Sequence, residues 1–134
     1  MKKYKIIKLK SFSNSTGKLI PVDFGKELPI KIKRIFYIFG KKNSIRGDHA
    51  HKKCCQLFFP IKGIVDLIFT EKDKKKTIRL NPKNNNAVLI YNLVWCKLKF
   101  LRHNSIVMVG CDRKYEFKDY IEEYDDFLKI IKKK

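Results

Sequence analysis

The stretch Arg46-Gly47-Asp48-His49-Ala50-His51-Lys52-Lys53 holds two of the chain's three histidines and sets them two residues apart. Side chains alternate along a β-strand, so on a strand both imidazoles point to one side of a sheet. An imidazole titrates near neutrality, at a pKa of about 6.5, and two on one face describe either an acid/base device or half of a metal site. The plainer alternative is a pair of wall histidines with structural hydrogen bonds only. Two imidazoles on the inner face of a small barrel each need partners, however, and Arg46 adds a fixed cation that an apolar core does not accommodate. The functional reading is therefore preferred. For His103, in the polar turn Leu101-Arg102-His103-Asn104, the structural reading is preferred.

Outward from this stretch the chain is a series of short β-rich runs at 4–9, 18–22, 32–39, 55–61, 64–69, 76–80, 87–90, 94–100 and 105–110. Turn material separates them: Ser15-Thr16-Gly17, Phe39-Gly40, Glu71-Lys72-Asp73 and Asn81-Pro82-Lys83-Asn84. Regularly spaced short strands predict an all-β barrel or jelly roll, which hides strand edges. Only the end departs from this pattern. From 119 to 131 the apolar residues Tyr120, Ile121, Tyr124, Phe127, Leu128 and Ile131 recur at three and four, predicting an α-helix with Asp119 as N-cap and lysines near its C-terminus.

The 134 residues are the size of one domain, 1–134. Charged positions interrupt every apolar stretch, which excludes a membrane-spanning helix or a signal peptide and points to the cytoplasm. The four cysteines, Cys54, Cys55, Cys96 and Cys111, form no CxxC pair and read as buried thiols. A net charge of +19 would suit a nucleic-acid partner, but the excess is mostly lysine spread along the whole chain, so neither nucleic acid nor membrane is expected as a partner. The charge does favour anionic substrates.

Beyond His51 come four residues, then Gln56, then six residues and Gly63. This spacing resembles the first motif of the cupin superfamily, whose metal-binding members carry HxH, a glutamate and a closing glycine. The glutamate position is Gln56 here, and the region of the second motif, Tyr91-Asn92-Leu93-Val94-Trp95-Cys96, supplies no histidine. A neutral amide is a weak metal ligand, so no metal is expected and the imidazoles are free for proton chemistry.

Four blocks taken in order carry a closer resemblance. Ile32-Lys33-Arg34-Ile35-Phe36-Tyr37-Ile38-Phe39, then Arg46 to Lys52, then Val94-Trp95, then Asp119-Tyr120-Ile121 with Tyr124-Asp125-Asp126-Phe127 resemble the pattern of the sugar-nucleotide 3,4-ketoisomerases. These are metal-free cupins of bacterial glycan pathways such as O-antigen and lipopolysaccharide synthesis. The resemblance spans nearly the whole chain. It implies a cupin jelly roll with a short C-terminal helix and a cofactor-free isomerase acting on dTDP-4-keto-6-deoxyglucose. His51 would be the base, with His49 and Tyr37 as helpers at the oxygens. Arg46 would position the sugar nucleotide, and Arg34 and Lys33 would reach the pyrophosphate. It further implies a homodimer that exchanges N-terminal strands within 1–22. Relatives carry a larger residue near Thr16-Gly17, and a histidine or arginine where this chain has Cys96-Lys97. The resemblance links both places to the face of C4 that is protonated. A 3,5-epimerase of the same fold, which would exchange solvent hydrogen at C5, and a non-catalytic sugar-nucleotide-binding cupin are the competing readings.

Overall fold

Residues 2–25, 28–71 and 73–133 are described by a computed structural model. The strands in chain order are β1 (Tyr4–Lys8), β2 (Phe12–Asn14), β3 (Gly17–Leu19), β4 (Arg34–Gly40), β5 (Ile45–His51), β6 (Gln56–Lys62), β7 (Val65–Glu71), β8 (Lys74–Leu80), β9 (Asn86–Ile90), β10 (Cys96–Phe100), β11 (Ser105–Cys111) and β12 (Tyr120–Ile121), followed by the helix α1 (Tyr124–Lys132). All described pairings are antiparallel. One sheet runs β1-β9-β6-β11-β4, the other β12-β5-β10-β7-β8, and β2-β3 is a separate hairpin. This is the expected jelly roll.

Alternation decides what lies between the sheets. Phe58, Val107, Val109 and Val88 of the first sheet meet Leu67, Phe69, Leu98 and Phe100 of the second in the inner core. The intervening residues of the first sheet, Leu57, Phe59, Ala87 and Leu89, are equally buried but face outward. Ile20, Val22, Leu28, Ile30 and Ile32 cover them, so the first sheet is apolar on both faces. The closing glycine of the motif has a geometric cause. Gly63 sits at φ +82°, and a Cβ there would come within 3.0 Å of the Ser105 backbone.

Three expectations along the chain need correcting. The segment read as a strand at 18–22 begins as β3 of the hairpin, and the strand read at 94–100 starts only at Cys96. The helix read from 119 begins at Tyr124, capped by the backbone of Glu123, and Asp119 is not its N-cap. Phe117–Asp119 is a 3₁₀ turn, and Tyr120 and Ile121 form β12, paired with His51 and Ala50 of β5. The three-and-four spacing continues through β12 because Ile121 packs with Phe127 and Ala50 in a third small core under the helix. Burial, not helix, accounts for those apolar positions.

Candidate active site

β5 carries the histidines, and its geometry is set by a bulge. Gly47 at φ +82° and Asp48 at φ +64° are both left-handed, and the β5–β10 register shifts there, from Cys96 opposite His49 to Lys97 opposite Gly47. Asp48 is the extra residue, and its carboxylate accepts a hydrogen bond from Trp95 Nε1 at 2.8 Å. In a regular strand Arg46 and His49, three apart, would face opposite ways. One inserted residue restores the phase. Arg46, Gly47 and His49 accordingly line one cavity of about 430 Å³, with Phe36, Gln56, Phe58, Lys97 and Tyr120 among the other walls.

His51 is set deeper, 5% exposed. Its ring lies 5.0 Å from that of His49 and 4.4 Å from that of Tyr120, and the Tyr120 ring also lies 5.0 Å from His49. The three rings form one cluster, of which His49 and Tyr120 are in the cavity wall. His51 Nδ1 donates to Asp119 Oδ2 at 3.0 Å, while its buried Nε2 has no partner among the described residues. Asp119 is itself held, because Asp119 Oδ1 accepts the Lys53 backbone N–H at 2.7 Å and Asp119 Oδ2 that of Cys54 at 3.3 Å. The carboxylate therefore fixes the tautomer: the proton sits on Nδ1 and the free lone pair on Nε2.

Burial holds the pKa of His51 below the ordinary imidazole value, and the hydrogen bond to Asp119 only partly offsets this. Burial lowers His49 as well. Both rings are thus neutral at neutral pH and able to accept a proton. Burial pushes the Cys96 thiol in the cavity wall up to about 12, leaving it protonated.

The remaining expected residues separate. Arg34 points inward from β4 but toward Cys111, with Nη2 to Sγ at 3.5 Å, and its guanidinium is covered by the rings of Phe36 and Tyr115 at 5.4 and 5.5 Å. Lys33 is exposed and absent from the cavity wall. Tyr37 is at the cavity rim, yet it pairs in register with Met108 of the outer face and is 61% exposed, on the side of β4 opposite Phe36 and Ile38. The tyrosine placed against the histidines is Tyr120. Lys97 is in the cavity wall. Gly17 lies on the β2–β3 hairpin, whose Lys18 Nζ bonds Pro82 O at 2.9 Å and Asn85 Oδ1 at 2.8 Å. Asp119 and Tyr120 were missed as site residues because their spacing fits a helix. The signal for them was their place in the last of the four resembling blocks.

The ligand atoms of His51, Cys54 and Asp119 all lie within 4.8 Å of one another. The group does not suit a metal. Both Asp119 oxygens are occupied by N–H donors, and the pKa of the Cys54 thiol is raised, chiefly by its hydrogen bond to Cys111 and by burial. Gln56, at the cupin glutamate position, directs its Nε2 to Cys111 Sγ at 3.8 Å. What the arrangement can do is hold and move protons beside a cavity whose wall mixes apolar and polar side chains.

Residues 2–132 match the family model of FdtA, described as WxcM-like, C-terminal. The chain is 33% identical over 132 residues to a TDP-4-oxo-6-deoxy-alpha-D-glucose-3,4-oxoisomerase from Aneurinibacillus thermoaerophilus, covering 96% of this chain and 93% of that one. A mutant of the 3,4-ketoisomerase QdtA from Thermoanaerobacterium thermosaccharolyticum, in complex with TDP-4-keto-6-deoxyglucose, superposes with a TM-score of 0.93. It is 29% identical and covers 100% of this chain and 97% of that one. A dTDP-4-dehydrorhamnose 3,5-epimerase from Bacillus anthracis shares the fold alone, with a TM-score of 0.78, 16% identity and coverage of 87% of this chain and 76% of that one.

Proposed function

Because this chain belongs to the WxcM-like, C-terminal FdtA family, we propose that it is a 3,4-ketoisomerase converting dTDP-4-keto-6-deoxyglucose into a dTDP-3-keto-6-deoxyhexose, acting as one cupin domain over residues 1–134. The observation that carries this reading is His51. It is a buried neutral imidazole, held through Nδ1 by Asp119, with a free Nε2 and two ring neighbours in a cavity wall.

The chemistry needs a base and a proton donor. The C4 carbonyl acidifies the C3 hydrogen, and His51 Nε2 takes that proton while O4 gains one, leaving an enediol with C3 and C4 joined by a double bond. The O3 proton then leaves as C4 is protonated, so the carbonyl stands at C3 and no atom is gained or lost. Asp119 stabilises the imidazolium formed midway, as a carboxylate does for a histidine base. His49 and Tyr120, in the wall beside it, serve the oxygens, where phenol O–H and imidazole N–H stabilise developing negative charge. Tyr37, at the rim, would serve there only from a rotated ring. Arg46 faces the cavity and would hold an anionic part of the sugar nucleotide. Lys33 and Arg34 would meet the pyrophosphate only after leaving their present positions.

The homodimer belongs to the same proposal. The β2–β3 hairpin exposes Phe12 and Leu19, and the free edge strand β4 exposes Ile35, Tyr37 and Phe39. Such an edge invites a second copy. β1 is paired with β9 of its own chain here, so an exchange would replace that pairing with the partner's. A reducing cytoplasm suits four free cysteines, and no described helix is long and apolar enough to cross a membrane. A role in O-antigen or lipopolysaccharide sugar synthesis would follow.

The test is proton NMR of chelator-treated protein with dTDP-4-keto-6-deoxyglucose in heavy water, with His51→Asn as control. A 3-keto product absent from the variant is expected, and the ring couplings read its C4 configuration. Exchange confined to C5 would instead identify a 3,5-epimerase, and no exchange a binding protein.

A further inference from the structure

Cys111 ends β11 with 0% exposure, and donors converge on its sulfur from two strands: Arg34 Nη2 from β4 at 3.5 Å and Gln56 Nε2 from β6 at 3.8 Å. The sulfur of a neutral thiol is a weak acceptor, so a guanidinium and an amide both aimed at it describe a place built for an anion. Arg34 needs one. No carboxylate of the described residues is in ion-pair contact with it, and a partly buried cation without a counter-charge is costly. Among the described residues, its flat faces meet the Phe36 and Tyr115 rings.

We propose that Cys111 is a thiolate in the resting protein, the counter-ion of Arg34, and through Arg34 a positioning residue that sets how strongly His51 binds its proton. The path is short. Arg34 disfavours the protonated form of His51: its guanidinium lies over the Tyr115 ring at 5.5 Å, that ring is 5.8 Å from the ring of Tyr120, and the Tyr120 ring lies 4.4 Å from that of His51. A negative sulfur on Arg34 offsets the field that would otherwise weaken the base. The four cysteines, read from sequence as inert buried thiols, thereby divide into a thiolate and neutral neighbours.

The surroundings agree in sign. A hydrogen bond from Cys54, together with Arg34 and Gln56, draws Cys111 down to about 6 against the effect of burial. Cys54 stays protonated, and its single proton has Cys111 and the Cys55 carbonyl, at 3.4 Å, within reach. Asp112, next in sequence, is bound to the Cys55 N–H at 2.9 Å, and it disfavours a second thiolate at Cys54 rather than supplying a counter-charge to Arg34. The groups facing His51 are Asp119 and Tyr120 from the 3₁₀ turn and β12, His49 from β5 and Arg34 from β4.

The counter-ion half of the proposal is independent of the isomerase reading, and the positioning half rests on it. Two measurements need no substrate. The ultraviolet thiolate band of the intact protein is followed with pH in wild type and Cys111→Ser, and the His51 ring resonances are titrated by NMR in wild type, Cys111→Ser and Arg34→Met. A band with a midpoint of about 6, lost in Cys111→Ser, is expected. The proton affinity of His51 falls on the order of tenfold in Cys111→Ser, the effect of one nearby unit charge, and rises in Arg34→Met, while exposed His103 does not move. A wild-type protein without a thiolate band at neutral pH would overturn the proposal, and so would an unmoved His51 in Cys111→Ser. If Cys111→Ser fails to fold, the wild-type band and Arg34→Met still decide. In turnover assays Cys111→Ser lowers kcat with KM nearly unchanged. A wild type inactive on the sugar nucleotide sinks the isomerase reading and leaves the thiolate result standing.

Discussion

Replacing Asp119 by asparagine tests the site most directly. The carboxylate is 7% exposed and accepts three hydrogen bonds, at 3.0 Å from His51, 2.7 Å from Lys53 and 3.3 Å from Cys54. Asparagine keeps one carbonyl oxygen, which the Lys53 N–H retains at the Oδ1 position, while the amide nitrogen takes the Oδ2 position that His51 and the Cys54 N–H share. Its NH₂ group then meets His51 Nδ1, and the imidazole must present a lone pair there, which moves its proton to Nε2. The base is lost while the fold survives. General-base catalysis is worth about 10²–10⁴-fold, about 3–5 kcal/mol of activation free energy. We expect kcat to fall by that range, with KM little changed. A charged hydrogen bond is worth about 1.5–3 kcal/mol, so the melting transition should drop by the loss of one such bond, and Asp119→Ala should drop further because two buried N–H groups lose their acceptor. Initial rates by NMR and thermal melts measure both. An Asp119→Asn enzyme within a factor of about three of wild type, under 1 kcal/mol, would refute the dyad.

Other expectations follow from the same geometry. Burial lowers the pKa of both His49 and His51, so kcat/KM should hold its plateau as pH falls through about 6.5 and decline only below it; an acid limb above that value would contradict a buried base. The unfolded chain binds the extra protons in that same window, so stability should fall as pH drops from about 6.5 toward the folded pKa values and level off beneath them, as read by denaturant melts. Gly47→Ala places a side chain at φ +82°, which should cost about 1–2 kcal/mol and raise KM more than it lowers kcat, since Arg46 loses its phase. Sedimentation should give the mass of two chains, and Phe39→Glu on the exposed edge of β4 should shift it toward one; a wild type sedimenting as a single chain would remove the dimer.

Much of this was legible in the linear order of residues. Alternating apolar runs define faces locally, so the jelly roll could be read without knowing which strands pair. The His49-Ala50-His51 spacing places two imidazoles on one side of β5 by the same local rule, and the missing glutamate and histidine already argued against a metal. Gly47-Asp48 could have been read as a bulge, a signal of two residues only.

Tertiary structure decided everything that depends on register. Asp119 is 68 residues from His51, and only the pairing of Tyr120 with His51 in β12–β5 brings carboxylate and imidazole together. That same pairing turns an apparent helix start into a strand and sets Tyr120, rather than Tyr37, against the histidines. The direction of Arg34 and the convergence of Arg34 and Gln56 on Cys111 were likewise beyond the sequence, because both arise from groups brought together out of three separate strands. A periodic pattern tells which residues share a face, a property of the nearest neighbours along the chain. Which face meets which, and hence which proton finds which acceptor, is a property of contacts that the chain makes only once it has closed.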